Sequence, residues 1–247
     1  MVDQLEIEKT RRGLSELAKR LHSASLVAGK FAGKSTRPEI ERQWMDTVFH
    51  SYDYSNLLIQ SFLESVDSLK DLPNDRFGYY SGKVAIQHFL EMINGFEQIL
   101  SKFISMDSEC SKALEDRVAG KVDLIEKGWV GATGKGKKLK SSLINQLQHK
   151  SQEIAFIRET FFQHGLISDL DKDIWEFAWK IRNSMHRNFV ALGDIDFQFP
   201  DIRTGVMYKF KYSKGQELHH PGDYLAFFAI SEQLEFILMK ILTANKV

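Results

Sequence analysis

The stretch AIQHFLEMINGFEQILSKF, residues 85–103, decides the fold. Ala85, Phe89, Met92, Phe96, Ile99 and Phe103 recur at steps of four and three, which places all six on one stripe of an α-helix. The spacing predicts a helix from about Gly82 to Ile104, buried along that stripe. Gly95 stands inside it, at a cost of about 1 kcal/mol relative to alanine.

The same period extends in both directions. Towards the N-terminus, residues 4–26 carry Leu5, Leu14, Leu17 and Leu21 among charges and read as an amphipathic helix. A small-residue stretch, AGKFAGKSTRP (28–38), follows, and Pro38 suits a first helical position. The next helix is expected from Pro38 to about Leu69, with Trp44, Val48, Tyr52 and the cluster 57–59 buried. His50, Tyr52, Asp53 and Tyr54 on it read as a core edge or a dimer surface. Leu72-Pro73-Asn74-Asp75 ends it. Towards the C-terminus, a short helix is expected over 108–118. Residues 119–138, which contain Gly120, Gly128, Gly131, Gly134 and Gly136, read as a loop. A long helix over about 140–164 is closed by Gly165, and Ser168-Asp169-Leu170-Asp171 starts another that reaches about Asn188.

Beyond that helix the period changes to two. Ile195, Phe197 and Phe199 alternate, as do Val206, Tyr208, Phe210 and Tyr212, with Gly205 between the runs. Period two predicts a β-hairpin with one apolar face, packing Ile195, Phe197, Val206, Tyr208 and Phe210 on its surroundings. A last helix over about 222–244 carries Leu225, Phe228, Leu234, Ile237, Leu238 and Ile241. The expected architecture is mainly α, a helical bundle with a β-hairpin inserted before the last helix. The expected organisation is a single domain over 1–247: N-terminal helix and linker 1–37, bundle 38–193, hairpin 194–215 and final helix 222–245.

Composition limits the function classes. Eighteen Phe and 4 Trp in 247 residues support a sizeable core and exclude disorder as the main state. Lys+Arg and Asp+Glu are both 33, so no global charge recruits nucleic acid or membrane, and an anion site must be local. The single cysteine, Cys110, excludes an internal disulfide framework and a Cys-based zinc site. The charged stretch 1–21 has no apolar run of the signal-peptide kind. The apolar stretch 224–242 is broken by Ser231, Glu232, Gln233, Glu235 and Lys240, which argues against a membrane span. A cytoplasmic location is expected, with no cofactor and no metal.

Most familiar motifs fail. Around Gly134-Lys135 a phosphate loop would need glycine at 129, where Trp129 stands, and Ser or Thr at 136, where Gly136 stands. A flexible basic loop offering Lys135, Lys137 and Lys138 to RNA phosphates is the alternative to a plain solvated one. Asp169-Leu-Asp-Lys-Asp173 starts like a calcium loop but has Ile174 at its sixth position and Lys180 at its twelfth, so helix capping accounts for its aspartates. His219-His220 has no neighbouring ligand to complete a metal site.

The informative stretch is 175–188, WEFAWKIRNSMHRN. On a helical wheel Ile174, Ala178, Ile181, Met185 and Phe189 form the core stripe, and Trp175, Trp179, Arg182 and His186 the adjoining one. Arg182 and His186, at i and i+4, can address one ligand. The guanidinium can fork onto a phosphate and the imidazole can move a proton near neutral pH. Two such pairs across a two-fold axis would supply the base, the acid and the charge stabilisation for metal-free RNA cleavage. The plainer reading gives Arg182 a carboxylate partner and makes the tryptophans packing.

Arg182-Asn-Ser-Met-His186, late in a helical bundle and followed by a further apolar helix, resembles the HEPN superfamily. Three residues separate Arg182 from His186, where the family has four to six. The resemblance implies a HEPN-like helical bundle, commonly homodimeric, with catalytic roles for Arg182, Asn183 and His186 in a metal-independent endoribonuclease, or else an RNA-binding protein. Lys135, Lys137, Lys138, Arg187 and Trp179 are the candidate RNA contacts. The setting implied is prokaryotic defence or toxin–antitoxin systems, with a second copy, RNA and a cognate antitoxin or defence protein as partners, and no membrane. The alternative is a catalytically inactive HEPN-like interaction module.

Overall fold

The computed structural model describes residues 2–32, 38–150, 154–185, 189–218 and 224–244. They are mainly helical, with one two-stranded hairpin before the last helix. The elements in chain order are α1 (Gln4–Ala32), α2 (Pro38–Trp44), α3 (His50–Ser65), α4 (Asn74–Met106), α5 (Ser108–Gly128), α6 (Lys135–Lys150), α7 (Ile154–Gln163), α8 (Asp169–Met185), β1 (Ile195–Pro200), β2 (Met207–Tyr212) and α9 (Ala226–Ala244). They fall into two compact units. The first takes Met1–Ile99 and Asp173–Leu238, the second Leu100–Lys172 and Met239–Val247.

In the first unit, α1 buries Leu14, Leu17, Leu21, Ala24 and Ala28, a stripe at helical spacing. Leu5 is 55% exposed and Ile7 takes the buried place instead, because Asp3 caps the helix start and sets its phase: its Oδ1 accepts the Leu5 N–H and its carbonyl the Glu6 N–H. The segment Pro38–Leu69 is helical throughout, as its spacing predicts, with a π-helical insertion at Met45–Phe49 and a 3₁₀ end at Val66–Leu69. The insertion brings Thr47 against α4. A Cβ at Gly95 would stand 2.5 Å from the Thr47 Cβ, so glycine there is required by close approach. Of the cluster 57–59 only Ile59 is fully buried, and Leu57 is 59% exposed.

The hairpin pairs Ile195 with Tyr212, Phe197 with Phe210 and Phe199 with Tyr208. Lys209 and Lys211 face out. Phe197 stacks on Phe177 of α8 at 4.6 Å between centroids, and Phe210 packs on Phe177 at 4.9 Å and on Phe227 of α9 at 5.8 Å. Val206, expected on the packed face, is 52% exposed. The turn takes it: the Asp201 N–H donates to the Val206 carbonyl, and Gly205 at φ +70° precedes it.

The second unit corrects one reading. Residues 119–128 and 135–138 are helix, not loop, since α5 runs from Ser108 to Gly128 and α6 starts at Lys135, which leaves only 129–134 outside a helix. Asp107 caps α5 by accepting the Cys110 N–H at 3.0 Å, and charged helix formers such as Glu115, Lys121, Glu126 and Lys127 outweigh Gly120. Glycines at 131 and 134, with φ +77° and +55°, do form the turn. Gly165 closes α7 at φ +69°, with the Leu166 N–H on the Phe161 carbonyl and the Gly165 N–H on the Phe162 carbonyl.

Candidate functional site

Helix α8 carries the candidate residues. Its start is capped reciprocally, for the Ser168 N–H and hydroxyl donate to Asp171 at 2.9 and 2.7 Å, and the Asp171 N–H points back to the Ser168 hydroxyl. Lys240 completes the Asp171 carboxylate at 2.8 Å. Asp171 therefore serves the helix end. Ile174, Ala178 and Ile181 are fully buried and Met185 is 8% exposed. Trp175 meets Phe96 of α4 edge-on at 4.6 Å. Trp179 packs beside it, 8% exposed, and donates its indole N–H to Glu97 at 2.7 Å. Its ring packs against Phe96 at 5.6 Å and Trp175 at 6.0 Å between centroids.

One turn further on the character changes. Arg182 is half-buried and Asn183 exposed. Their only mutual contact is long, Arg182 Nη1 to Asn183 Oδ1 at 3.5 Å. Arg182 Nε is buried and has no hydrogen-bond partner among the described residues, and no described carboxylate pairs with the guanidinium. Glu97 of α4 accepts the Trp179 indole N–H. Among the described residues, then, no ion pair compensates this half-buried permanent cation. Ser184, which the wheel turns away from the core, is buried, donating to the Lys180 carbonyl and accepting the Leu192 N–H, and so ties the helix end to the segment that leads into β1. His186 and Arg187 lie outside the described residues, as do His219 and His220. Lys135, Lys137 and Lys138 are exposed on the first turn of α6, in the second unit, while Arg182 and Asn183 belong to the first.

A second polar centre lies inside the first unit. Tyr52 of α3 donates its hydroxyl to Glu235 of α9 at 2.9 Å. Arg203, in the hairpin turn, pairs with Glu232 one helical turn earlier, and Arg20 of α1 pairs with Asp201 at 2.9 Å. Three buried carboxyls thus meet two guanidiniums. Burial works against the Asp201 charge, but the backbone N–H groups of Arg203 and Thr204 and the Arg20 fork hold its carboxyl below the usual range. Burial pushes Glu235 up to about 7, against the Tyr52 hydrogen bond and with the help of the neighbouring Glu232 charge. Burial likewise raises Glu232 to about 7, against the attraction of Arg203. Tyr52 is raised well above its ordinary range, by burial and by Glu235. The signal in the sequence was Ser231-Glu-Gln-x-Glu235, three polar residues and a second acid inside an apolar helix, whose partners are far away in the chain.

Comparison with family models, curated proteins and solved structures finds no match. Among the described residues no group of three His, Cys, Asp or Glu could hold a metal, and no helix is long and apolar enough to cross a membrane.

Proposed function

We propose that the C-terminal end of α8 takes an RNA phosphate, and that the chain is a HEPN-like, metal-independent endoribonuclease working as a cytoplasmic homodimer. One observation carries the reading: the Arg182 guanidinium, half-buried, has a buried Nε without a partner and no carboxylate beside it among the described residues. A buried N–H left unmade costs free energy, and a phosphate oxygen would satisfy it along with the charge. Asn183, exposed beside it, can donate to the same group. His186, four residues on in the sequence, supplies the proton-transfer group. One histidine per chain gives either the base or the acid, and a two-fold partner supplies the other without a new residue.

The test is cleavage of mixed RNA with EDTA present, comparing wild type with His186→Ala and Arg182→Lys. Cleavage by the wild type, its loss in His186→Ala and its weakening in Arg182→Lys support the reading, since an ammonium cannot reproduce the fork. RNA that survives the wild type, or equal cleavage by His186→Ala, overturns it and leaves the inactive interaction module.

A further inference from the structure

A cavity of about 560 Å³ opens in the first unit, lined by the start of α4, the end of α8 and the segments that follow. Three features converge on it. Gly78 and Gly82, at i and i+4, put bare helix backbone on its wall, and a Cβ on either would meet nothing within 4 Å. Unlike Gly95, neither is required by packing, although each weakens a helix interior. Phe189 stands at φ +61°, a left-handed conformation that a bulky side chain rarely takes, and its carbonyl is pinned by the Leu218 N–H at 2.6 Å. Lys83 holds its ammonium 5.1 Å from the Tyr79 ring centroid and 5.2 Å from that of Phe189.

Resting on the reading of Arg182, we infer that this cavity holds one unpaired nucleotide of the RNA. The base lies against the Tyr79 and Phe189 rings, over the glycine backbone that permits close approach, and Lys83 takes the adjoining phosphate. The volume is that of a small-ligand site. Met185, three residues on from Arg182, lines the same cavity, so nucleotide and scissile phosphate would sit on neighbouring turns of one helix. Gly78 and Gly82 also line a second cavity on the α1 side, which leaves the strand room to continue. The carboxylates Asp75 and Glu217 on the wall disfavour further anionic charge, so a single phosphate suits the cavity better than a triphosphate.

Calorimetric titration of the full chain with AMP, GMP, CMP, UMP, ribose 5-phosphate and GTP tests this. The monophosphates bind at least tenfold more tightly than ribose 5-phosphate, and GMP more tightly than GTP. Gly82→Leu fills the open space and Phe189→Gly removes the ring while relieving its backbone, so both remain folded by circular dichroism and both lose monophosphate binding tenfold or more. Failure of the wild type to bind any monophosphate, unchanged affinity in both variants, or tenfold tighter GTP overturns the inference. If the wild type cleaves RNA yet binds no monophosphate, the cavity falls and the Arg182 reading stands. Monophosphate binding that both variants lose, without RNA cleavage, sinks the Arg182 reading and supports the cavity as a nucleotide site.

Discussion

At the residue scale, burial sets the charge of an acid that no cation engages directly. Glu235 keeps its one hydrogen bond to Tyr52 while both guanidiniums of its cluster are engaged by Glu232 and Asp201. Its ordinary value of 4.5 rises to about 7 in the folded chain. An acid raised on folding favours the fold below its unfolded pKa, and that advantage is lost as pH climbs through the folded value. Stability should therefore fall between pH 4.5 and about 7, by on the order of 3 kcal/mol from this group. Urea midpoints across that range check it, and Glu235→Gln, which keeps an acceptor for Tyr52, should flatten the fall and stabilise the protein at pH 8. Gly95 makes the converse case. Alanine is the better helix former, yet Gly95→Ala drives a methyl into Thr47 and should cost about 1–3 kcal/mol by the same titration. An unchanged or raised midpoint would show that α4 and the π segment separate freely.

At the scale of elements, period was the legible quantity. The three-four stripes of α4, α8 and α9 end up buried, and the alternation over 195–212 is the hairpin, because a period of two cannot serve a helix face. Phase and ends were harder to read. Val206 belongs to the turn because the Asp201 loop consumes it, and α5 continues through Gly120 because capping and charged helix formers outweigh one glycine. The Arg182 stripe was legible as a wheel, and packing was one reading of its tryptophans, but the partners that bury Trp179 were not legible, since Phe96 and Glu97 belong to another helix. The carboxyl cluster was read only as interruptions of an apolar run, because Tyr52 and Glu235 meet across 183 positions of chain. The hairpin's worth lies in its aromatic face. Phe210, 1% exposed and touching Phe177, Phe199 and Phe227, should cost about 3–5 kcal/mol as Phe210→Ala in urea titration, while outward Lys209→Ala should be near neutral.

For the whole molecule, charge and composition leave recognition to local groups. Positive and negative side chains balance at 33 each, so neither self-repulsion nor a general basic field governs association. The proposed mechanism needs two histidines, and light scattering at micromolar concentration should return twice the 28.5 kDa chain mass. A monomer there would count against paired catalysis. The central claim, that Arg182 receives an RNA phosphate, is tested most directly by single-stranded RNA binding measured by fluorescence anisotropy over a salt series. The wild type should lose affinity as salt rises. Arg182→Gln should bind more weakly at every salt concentration, with a log–log slope shallower by about 0.7, the value for one phosphate contact on a single strand. Identical affinity and slope for the two proteins would contradict the claim.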